Sequence, residues 1–314
     1  MSGYLAVGVY RLVGGVLRLL PVRVCSWFAL VLSRLIYLVD IRHRRIGARN
    51  LKLVYGDSLS RNQRNRILRQ AYENMLLVVL EHFFLDRIEV DSSSVETIRP
   101  LLEGPQGVLL VSGHLGNWEI ALHDFARNGY RVLAIGRPLD QPAVNRLLVE
   151  RRESLGLEVV DKKGAVRSIL KAMRQPRQIA GILVDQNAGG RGEFVDFMGY
   201  PASTTSIHAS LARKRGIPVV VGGLVRVGPL RFRYIFGNCL DTSAVKSMSL
   251  DEILIHVNQE LSALIQDYPG QWLWMHRRWK SRPQGEARDS HLNRTLGYAK
   301  YYDSPEVVAS GDPT

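Results

Sequence analysis

The chain has 314 residues and a formal net charge of +13, from 42 Lys and Arg against 29 Asp and Glu. Hydrophobic residues make up 46% of it, so it is globular and long enough for one large α/β domain with an N-terminal appendage. The positive charge indicates an anionic partner, such as nucleic acid, anionic lipid or an acidic carrier protein. The two cysteines, Cys25 and Cys239, have no second ligand at metal-binding spacing, which excludes a disulfide framework and gives no zinc motif.

Residues 1–41 predict two apolar helices, 4–20 and 22–41, that are separated by Pro21. Each helix carries two arginines on one edge, as helices at a membrane surface do. The longest uncharged run of the second helix, 24–33, is half of the ~20 residues that a spanning helix needs. Residues 24–39 with a snorkelling Arg34 are long enough to cross marginally, so spanning and lying on the membrane both stay open.

A basic cluster at residues 42–52 follows these helices. The positive-inside rule and attraction to anionic lipid would hold such a cluster at the cytoplasmic membrane surface. The alternative is a buried helical hairpin in 1–41 with a solvated basic face after it. Nucleic acid is a weaker partner, because the chain has neither zinc-finger spacing nor an RNA-binding signature. We therefore expect a membrane partner and no nucleic acid.

The rest of the chain begins with a capping box, Ser60 to Gln63, that opens a helix predicted to run to about residue 85. From residue 107 apolar runs alternate with amphipathic ones. The runs typical of strands are 107–112, 131–136, 157–160, 179–184, 218–225 and 231–236, and those typical of helices are 118–127, 141–155, 164–173, 205–215 and 250–268. This alternation predicts an α/β fold with a mostly parallel, helix-flanked sheet in a domain at 42–283. The polar segment 284–314 is expected to be a partly disordered tail.

Candidate site residues follow predicted strands at the carboxyl edge of this sheet, where ligands bind in such folds. They are His114, Arg137 and Asp185. Glu119 lies five positions after His114, beyond a Gly-Asn turn. If His114 lies in that turn and Glu119 in the first turn of the next helix, the carboxylate can hold one ring nitrogen while the other accepts a proton. The backbone N–H groups of that helix start are near enough to help a developing oxyanion.

The segment His-Leu-Gly-Asn-Trp-Glu at 114–119 resembles the His-x4-Asp/Glu box of the glycerolipid acyltransferases, and in detail that of the lipid A biosynthesis acyltransferases. Other segments are similar to the same family in the same order, and the resemblance spans about residues 5–283. These segments are 49–55, 136–140, 152–156, 183–186, 194–201, 218–226 and 269–283.

The resemblance implies a membrane-bound acyltransferase that takes its acyl chain from acyl carrier protein or acyl-CoA and needs no metal or other cofactor. It implies His114 as general base and Glu119 as its catalytic partner. Arg152, in an Arg-x3-Gly pattern, would bind an anionic substrate group, with Arg151 a competitor for that position. Asp185 belongs to an Asp-Gln segment near the catalytic centre and is expected, with Arg137 and Arg152, to bind substrate. The expected location is the cell inner membrane, with the site facing the cytoplasm.

Several of these residues have a structural alternative. Arg137 can cap a turn rather than bind phosphate, Arg152 can form a solvated salt bridge, and Asp185 can cap the loop after it. Trp272, Trp274 and Trp279 alternate with cations, which favours a bilayer interface over a simple core. Phe194, Phe197 and Met198 suit an acyl groove and the hydrophobic core equally.

The leading hypothesis is direct transfer: His114 deprotonates a glycolipid hydroxyl, which attacks the thioester without an acyl-enzyme. The acceptor is expected to be a lipid A precursor, with another glycolipid such as a phosphatidylinositol mannoside as the alternative. A membrane-bound thioesterase or hydrolase could use the same His-Glu pair with water. A non-catalytic membrane module would explain the N-terminus but not the His-x4-Glu segment.

Overall fold

The computed structural model describes residues 2–136, 141–161, 164–283, 285–286 and 291–296. Its N-terminal part is helical, with α1 at Ser2–Leu19, α2 at Val22–Val39, α3 at Ile41–Tyr55 and α4 at Arg61–Glu81. Pro21 precedes α2, and the Asp40 side chain accepts from the backbone N–H of His43 to cap α3. The predicted Ser60–Gln63 capping box opens α4.

Five of the remaining α-helices of the described residues lie close to predicted ranges, and the three short ones at 99–102, 242–247 and 291–296 were not predicted. In chain order these helices are α5 (Arg99–Leu102), α6 (Trp118–Arg127), α7 (Pro142–Ser154), α8 (Ala165–Ala172), α9 (Ile207–Arg215), α10 (Thr242–Ser247), α11 (Leu250–Asp267) and α12 (His291–Leu296). The strands are β1 (Glu89–Asp91), β2 (Val108–Ser112), β3 (Arg131–Gly136), β4 (Leu157–Asp161), β5 (Gln178–Leu183), β6 (Glu193–Phe197), β7 (Tyr200–Thr204), β8 (Val219–Gly228) and β9 (Arg231–Phe236).

Seven strands form one sheet in the order β1-β9-β8-β2-β5-β3-β4. All neighbours pair parallel except β8 and β9, which form an antiparallel hairpin. The fully buried β2, apolar from Val108 to Val111, lies at the centre, where both of its faces are covered. The α/β fold with a mostly parallel, helix-flanked sheet is therefore confirmed.

Some elements were not predicted, and each lacks the pattern that would mark it. The basic cluster is a helix, α3, because its charges point outward while Ile46, Leu51 and Leu53 pack inward. Strand β1 has three residues and pairs only with β9 in the described sheet. The β6–β7 hairpin forms a separate two-stranded sheet.

The three C-terminal tryptophans are part of the core. Trp272, Trp274 and Trp279 are at most 2% exposed, and Trp272 lies within ring contact of the other two. Our prediction that they face a bilayer interface was therefore wrong. The interleaved Arg278 is buried with them and donates to the Ser203 carbonyl and the Thr204 hydroxyl. Phe197 packs against Trp272, so it belongs to this core.

Part of the C-terminal segment is ordered against the N-terminal region. Helix α12 packs on α3, with Leu292 and Leu296 buried. The guanidinium of Arg49 donates to the carbonyl of Leu296 over 3.1 Å. The tail at 284–314 thus includes one short docked helix.

Candidate active site

His114 lies two residues beyond the end of β2, at the carboxyl edge of the sheet. The neighbouring strand β5 pairs with β2 so that Ser112 is opposite Leu183. His114 comes two positions after Ser112, and Asp185 comes two positions after Leu183, so the two residues lie opposite each other. Gly113 makes the close approach possible, since a Cβ at that position would lie 2.9 Å from Oδ2 of Asp185.

Asp185 holds His114 through two hydrogen bonds. Nδ1 of His114 is 2.8 Å from Oδ1 of Asp185, and the backbone N–H of His114 donates to Oδ2 over 2.7 Å. Trp272 Nε1 also donates to Oδ2, over 2.8 Å. The carboxylate is 2% exposed, so these three donors replace the water that burial removed.

The pKa values of this pair move in opposite directions. Burial acts to lower the pKa of His114, but the charge and hydrogen bond of Asp185, with a contribution from the charge of Glu119, leave it raised above its ordinary value. Burial acts to raise the pKa of Asp185, yet the His114 and Trp272 contacts hold it below its usual range. Asp185 is therefore ionised and stabilises a proton on the imidazole.

The other ring nitrogen of His114 faces the open side of the site. Because Nδ1 donates to the Asp185 carboxylate, Nε2 of the neutral ring is the acceptor. It lies 3.4 Å from the side-chain amide nitrogen of Gln186, which is exposed. The ring also packs edge-on against Trp118, with 4.8 Å between ring centroids. This arrangement presents one basic nitrogen to whatever binds in front of it.

Glu119 lies in the first turn of α6, as the sequence indicated, but its carboxylate contacts Arg152 of α7. Nε of Arg152 donates to Oε2 of Glu119 over 3.0 Å, and a second guanidinium nitrogen contacts Oε1. Glu119 was expected to contact the His114 ring, and that expectation was wrong, because Asp185 makes this contact instead. Arg152 is engaged in a bidentate, partly buried ion pair.

The turn between His114 and α6 is fixed by a buried polar network that links it to distant elements. Glu81 pairs with Arg226 and accepts from the Asn117 side chain over 2.8 Å. Asn74 donates to the carbonyl of Gly116 over 3.0 Å and also contacts Arg226. The network therefore holds both Gly116 and Asn117 by hydrogen bonds.

The backbone N–H groups of this turn have partners within the chain. The Gly116 N–H donates to the Gln271 carbonyl over 2.9 Å, and the Asn117 N–H to the Leu224 carbonyl over 2.8 Å. The Ile120 N–H is capped by the Asn117 side chain at 3.2 Å. These three groups are therefore not free to act as oxyanion donors.

A cavity of about 920 Å³ opens in front of His114. Its polar wall includes His114, Glu119, Arg152 and Gln186. Most of the remaining wall is apolar, from the sheet and from α6 and α7: Leu110, Ala121, Leu122, Ala134, Leu148, Val149, Leu157, Ile182 and Phe236. Such a wall suits a hydrocarbon chain, and the polar residues lie where its reactive end would sit.

The structure brings His114, Asp185, Glu119 and Arg152 together in one region. Arg137 lies outside the described residues, so its role in substrate binding stays a prediction. Trp272 and Gln186 were missed as site residues, although both lie in segments of the family resemblance. No group of three His, Cys, Asp or Glu residues that could hold a metal ion occurs among the described residues.

The fold and this site, taken with the comparisons, define an acyltransferase. The chain belongs to the bacterial lipid A biosynthesis acyltransferase family, whose sequence model matches residues 2–281. It is 27% identical over 262 residues to a lipid A biosynthesis acyltransferase of Haemophilus influenzae, covering 78% of this chain and 80% of that one. It is 26% identical over 255 residues to a lipid A biosynthesis lauroyltransferase of Escherichia coli, covering 78% and 81%.

Another relative has a different glycolipid in its name. The chain is 26% identical over 259 residues to a phosphatidylinositol mannoside acyltransferase of Mycolicibacterium smegmatis, covering 76% of this chain and 81% of that one. The identities to the three relatives are nearly equal. The shared assignment is thus an acyltransferase acting on lipid A or a related glycolipid.

Proposed function

We propose that this protein moves a fatty acyl chain from the thioester of acyl carrier protein or CoA to a hydroxyl of a lipid A precursor. The observation that carries the proposal is the His114 geometry: Nδ1 is held by a buried carboxylate while Nε2 faces an apolar cavity. A base and a cavity that suits an acyl chain therefore adjoin each other.

In the proposed reaction, Nε2 of His114 takes the proton of the acceptor hydroxyl as its oxygen attacks the thioester carbonyl. Asp185 stabilises the resulting imidazolium. The side-chain amide of Gln186, next to Nε2, is placed to donate to the oxyanion. Collapse of the tetrahedral intermediate forms the ester, breaks the C–S bond and expels the thiolate, which takes the proton from His114. No acyl-enzyme forms.

The proposed role of Glu119 is to position rather than to touch the ring. Its charge adds to the raised pKa of His114, and its ion pair fixes Arg152 at the cavity wall. Arg152 can still meet an anionic substrate group with guanidinium nitrogens not used by Glu119. Asp185, which the sequence analysis grouped with substrate binding, serves here as the partner of His114.

The proposed location is the cytoplasmic face of the inner membrane. Helix α2 has a mean hydropathy of 1.7 and is mostly exposed, so it offers an apolar surface to a membrane. The basic helix α3 follows it directly, and such a cluster is attracted to the anionic lipid of the cytoplasmic leaflet. A basic surface also favours an acidic carrier protein as donor.

The test is a reconstituted assay with the full chain in lipid vesicles and a radiolabelled acyl thioester. Acyl carrier protein and CoA donors are each offered with a lipid A precursor, with a phosphatidylinositol mannoside, or with no acceptor. We expect label in the lipid A precursor. Label in the mannoside alone would make that lipid the acceptor, as the mycobacterial relative suggests, and free fatty acid in every arm would indicate a thioesterase. Label on the protein, seen as a mass increase, would contradict direct transfer.

A further inference from the structure

Helix α2 packs against α4 along most of its length. Near its start, Cys25 and Ala29 are buried with Leu80 and Phe84. Near its end, the rings of Tyr37 and Tyr72 are 5.4 Å apart. The two helices are therefore antiparallel, and the contact extends over residues 25–37 of α2.

The opposite side of α2 is apolar and exposed. At 100° per residue its exposed apolar side chains lie within an arc of about 140°. They are Val24, Trp27, Phe28, Val31, Leu32, Leu35, Leu38 and Val39. Arg23 and Arg34, both exposed, lie within about 40° of one edge of this arc. We call these eight apolar residues the α2 apolar face.

The packing on α4 is incompatible with a transmembrane orientation. The 18 residues of α2 are about 27 Å long, close to the hydrocarbon thickness of about 30 Å. An upright α2 would place the α4 segment beside it at the same depth, with the Arg34–Glu73 and Glu81–Arg226 ion pairs. The sheet and loops behind α4 would follow into hydrocarbon, where irregular backbone exposed to lipid is not tolerated.

From these contacts we infer that α2 lies flat in the membrane interface and does not span the bilayer, its apolar face docked into the acyl boundary of an anionic leaflet. The inference deepens the membrane location proposed above and rests on it. The Arg23 and Arg34 edge lies at the level of the head groups. On α3, Arg42, Arg45, Arg49 and Lys52 are exposed within an arc of about 80° and add a cationic surface next to it.

The same docking brings the leaflet close to the active site. Helix α1 also lies against the body, with Tyr10 packed on Phe83 at 4.8 Å and Arg18 paired with Asp86 at 2.9 Å. It contacts α7, which contributes Leu148, Val149 and Arg152 to the cavity wall. A lipid acceptor held in the leaflet therefore reaches the cavity without crossing the bilayer.

The test measures depth along α2. Single cysteines replace Val24, Val31 and Leu38 in a Cys25→Ala, Cys239→Ala chain, and each carries a spin label in phosphatidylethanolamine–phosphatidylglycerol vesicles. Ile255→Cys, exposed on α11, is the reference for water. Accessibility to oxygen and to a soluble nickel complex should place all three labels at one depth, about 5–10 Å into the boundary. A Val31 label near the bilayer centre, with the other two labels at the bilayer surfaces, would overturn the inference. It would also be overturned if all three labels were as accessible to the nickel complex as the Ile255→Cys label.

A second measurement uses binding alone. Leu32→Glu with Leu35→Glu should weaken partition into the same vesicles at least about tenfold, because two leucines lose their burial. Ile255→Glu should leave partition unchanged, and equal partition of both variants would contradict the docking. Neither experiment reads acyl transfer, so an inactive protein with shallow labels would refute the proposed reaction and leave this inference standing.

Discussion

Trp272 Nε1 and the backbone N–H of His114 donate to the same oxygen, Oδ2 of Asp185, over 2.8 and 2.7 Å. The other oxygen of Asp185 is left for Nδ1 of His114. One carboxylate thus fixes both the backbone and the ring of the proposed base, and a tryptophan from the C-terminal region fixes the carboxylate. This relationship makes Asp185 the residue on which the basicity of His114 depends.

Asp185→Asn should lower kcat by about 10²- to 10⁴-fold, the range of a general base that has lost its function. The neutral amide no longer stabilises the imidazolium, so the pKa of His114 falls and the acid limb of the pH–rate profile moves to lower pH. A profile of kcat against pH measures both effects. Asp91→Asn, on an exposed carboxylate paired with Arg233, is the control and should change neither. An acid limb that stays in place would refute the pairing.

Glu119→Ala and Arg152→Ala should cause similar losses of kcat/KM, because each leaves the other half of one ion pair without its partner. The double variant should lose little more than either single variant. A double-mutant cycle on kcat/KM measures the coupling, expected at about 1–3 kcal/mol. Additive losses would show that the two residues act independently, with Arg152 on the substrate alone.

Gly116→Ala should destabilise the fold and the active site together. Gly116 has φ of 62°, and a Cβ there would lie 1.9 Å from the Leu224 carbonyl oxygen. The left-handed backbone alone costs about 1–2 kcal/mol for a residue with a Cβ, and the contact adds to that. Urea unfolding should show a loss above about 2 kcal/mol. Gly189→Ala, also at positive φ but with open space around it, is the control that separates the two contributions. Equal losses in both variants would rule out the contact with Leu224.

Val149→Trp should shift the donor preference to shorter acyl chains, because Val149 lines the cavity in front of His114. Each methylene that no longer fits loses about 0.8 kcal/mol of burial, or about fourfold in kcat/KM. Comparing a series of acyl donors measures the shift. Val166→Trp, exposed on α8 and absent from the cavity wall, should leave the preference unchanged. An unchanged preference in Val149→Trp would place the acyl chain elsewhere.

The sequence predicted the sheet and placed His114 correctly at its carboxyl edge, because hydrophobic periodicity reports burial directly. It favoured Glu119 as the ring partner since that carboxylate is five positions away. Asp185 is 71 positions away, and only the register of β2 on β5, with Ser112 opposite Leu183, brings it to the ring. His114 and Asp185 were both predicted at the same edge of the sheet, but hydrophobic periodicity does not reveal which strands are neighbours.

The network behind the turn had no local signal at all. Glu81 and Arg226 lie 145 positions apart, and each resembles an ordinary surface charge in its own segment. Their burial follows from the packing of α4 on the end of β8. The proposed orientation of α2 is a similar case: composition left spanning and surface binding open, and the inference that α2 lies in the interface rests on its contact with α4, which no local pattern indicates.

The turnover of His114→Ala with a labelled acyl thioester and a lipid acceptor tests the proposed mechanism most directly. We expect transfer to fall at least about 10³-fold, with the unfolding transition and vesicle binding unchanged, because the imidazole is the only part removed. Full transfer by His114→Ala would contradict the assignment of His114 as the base.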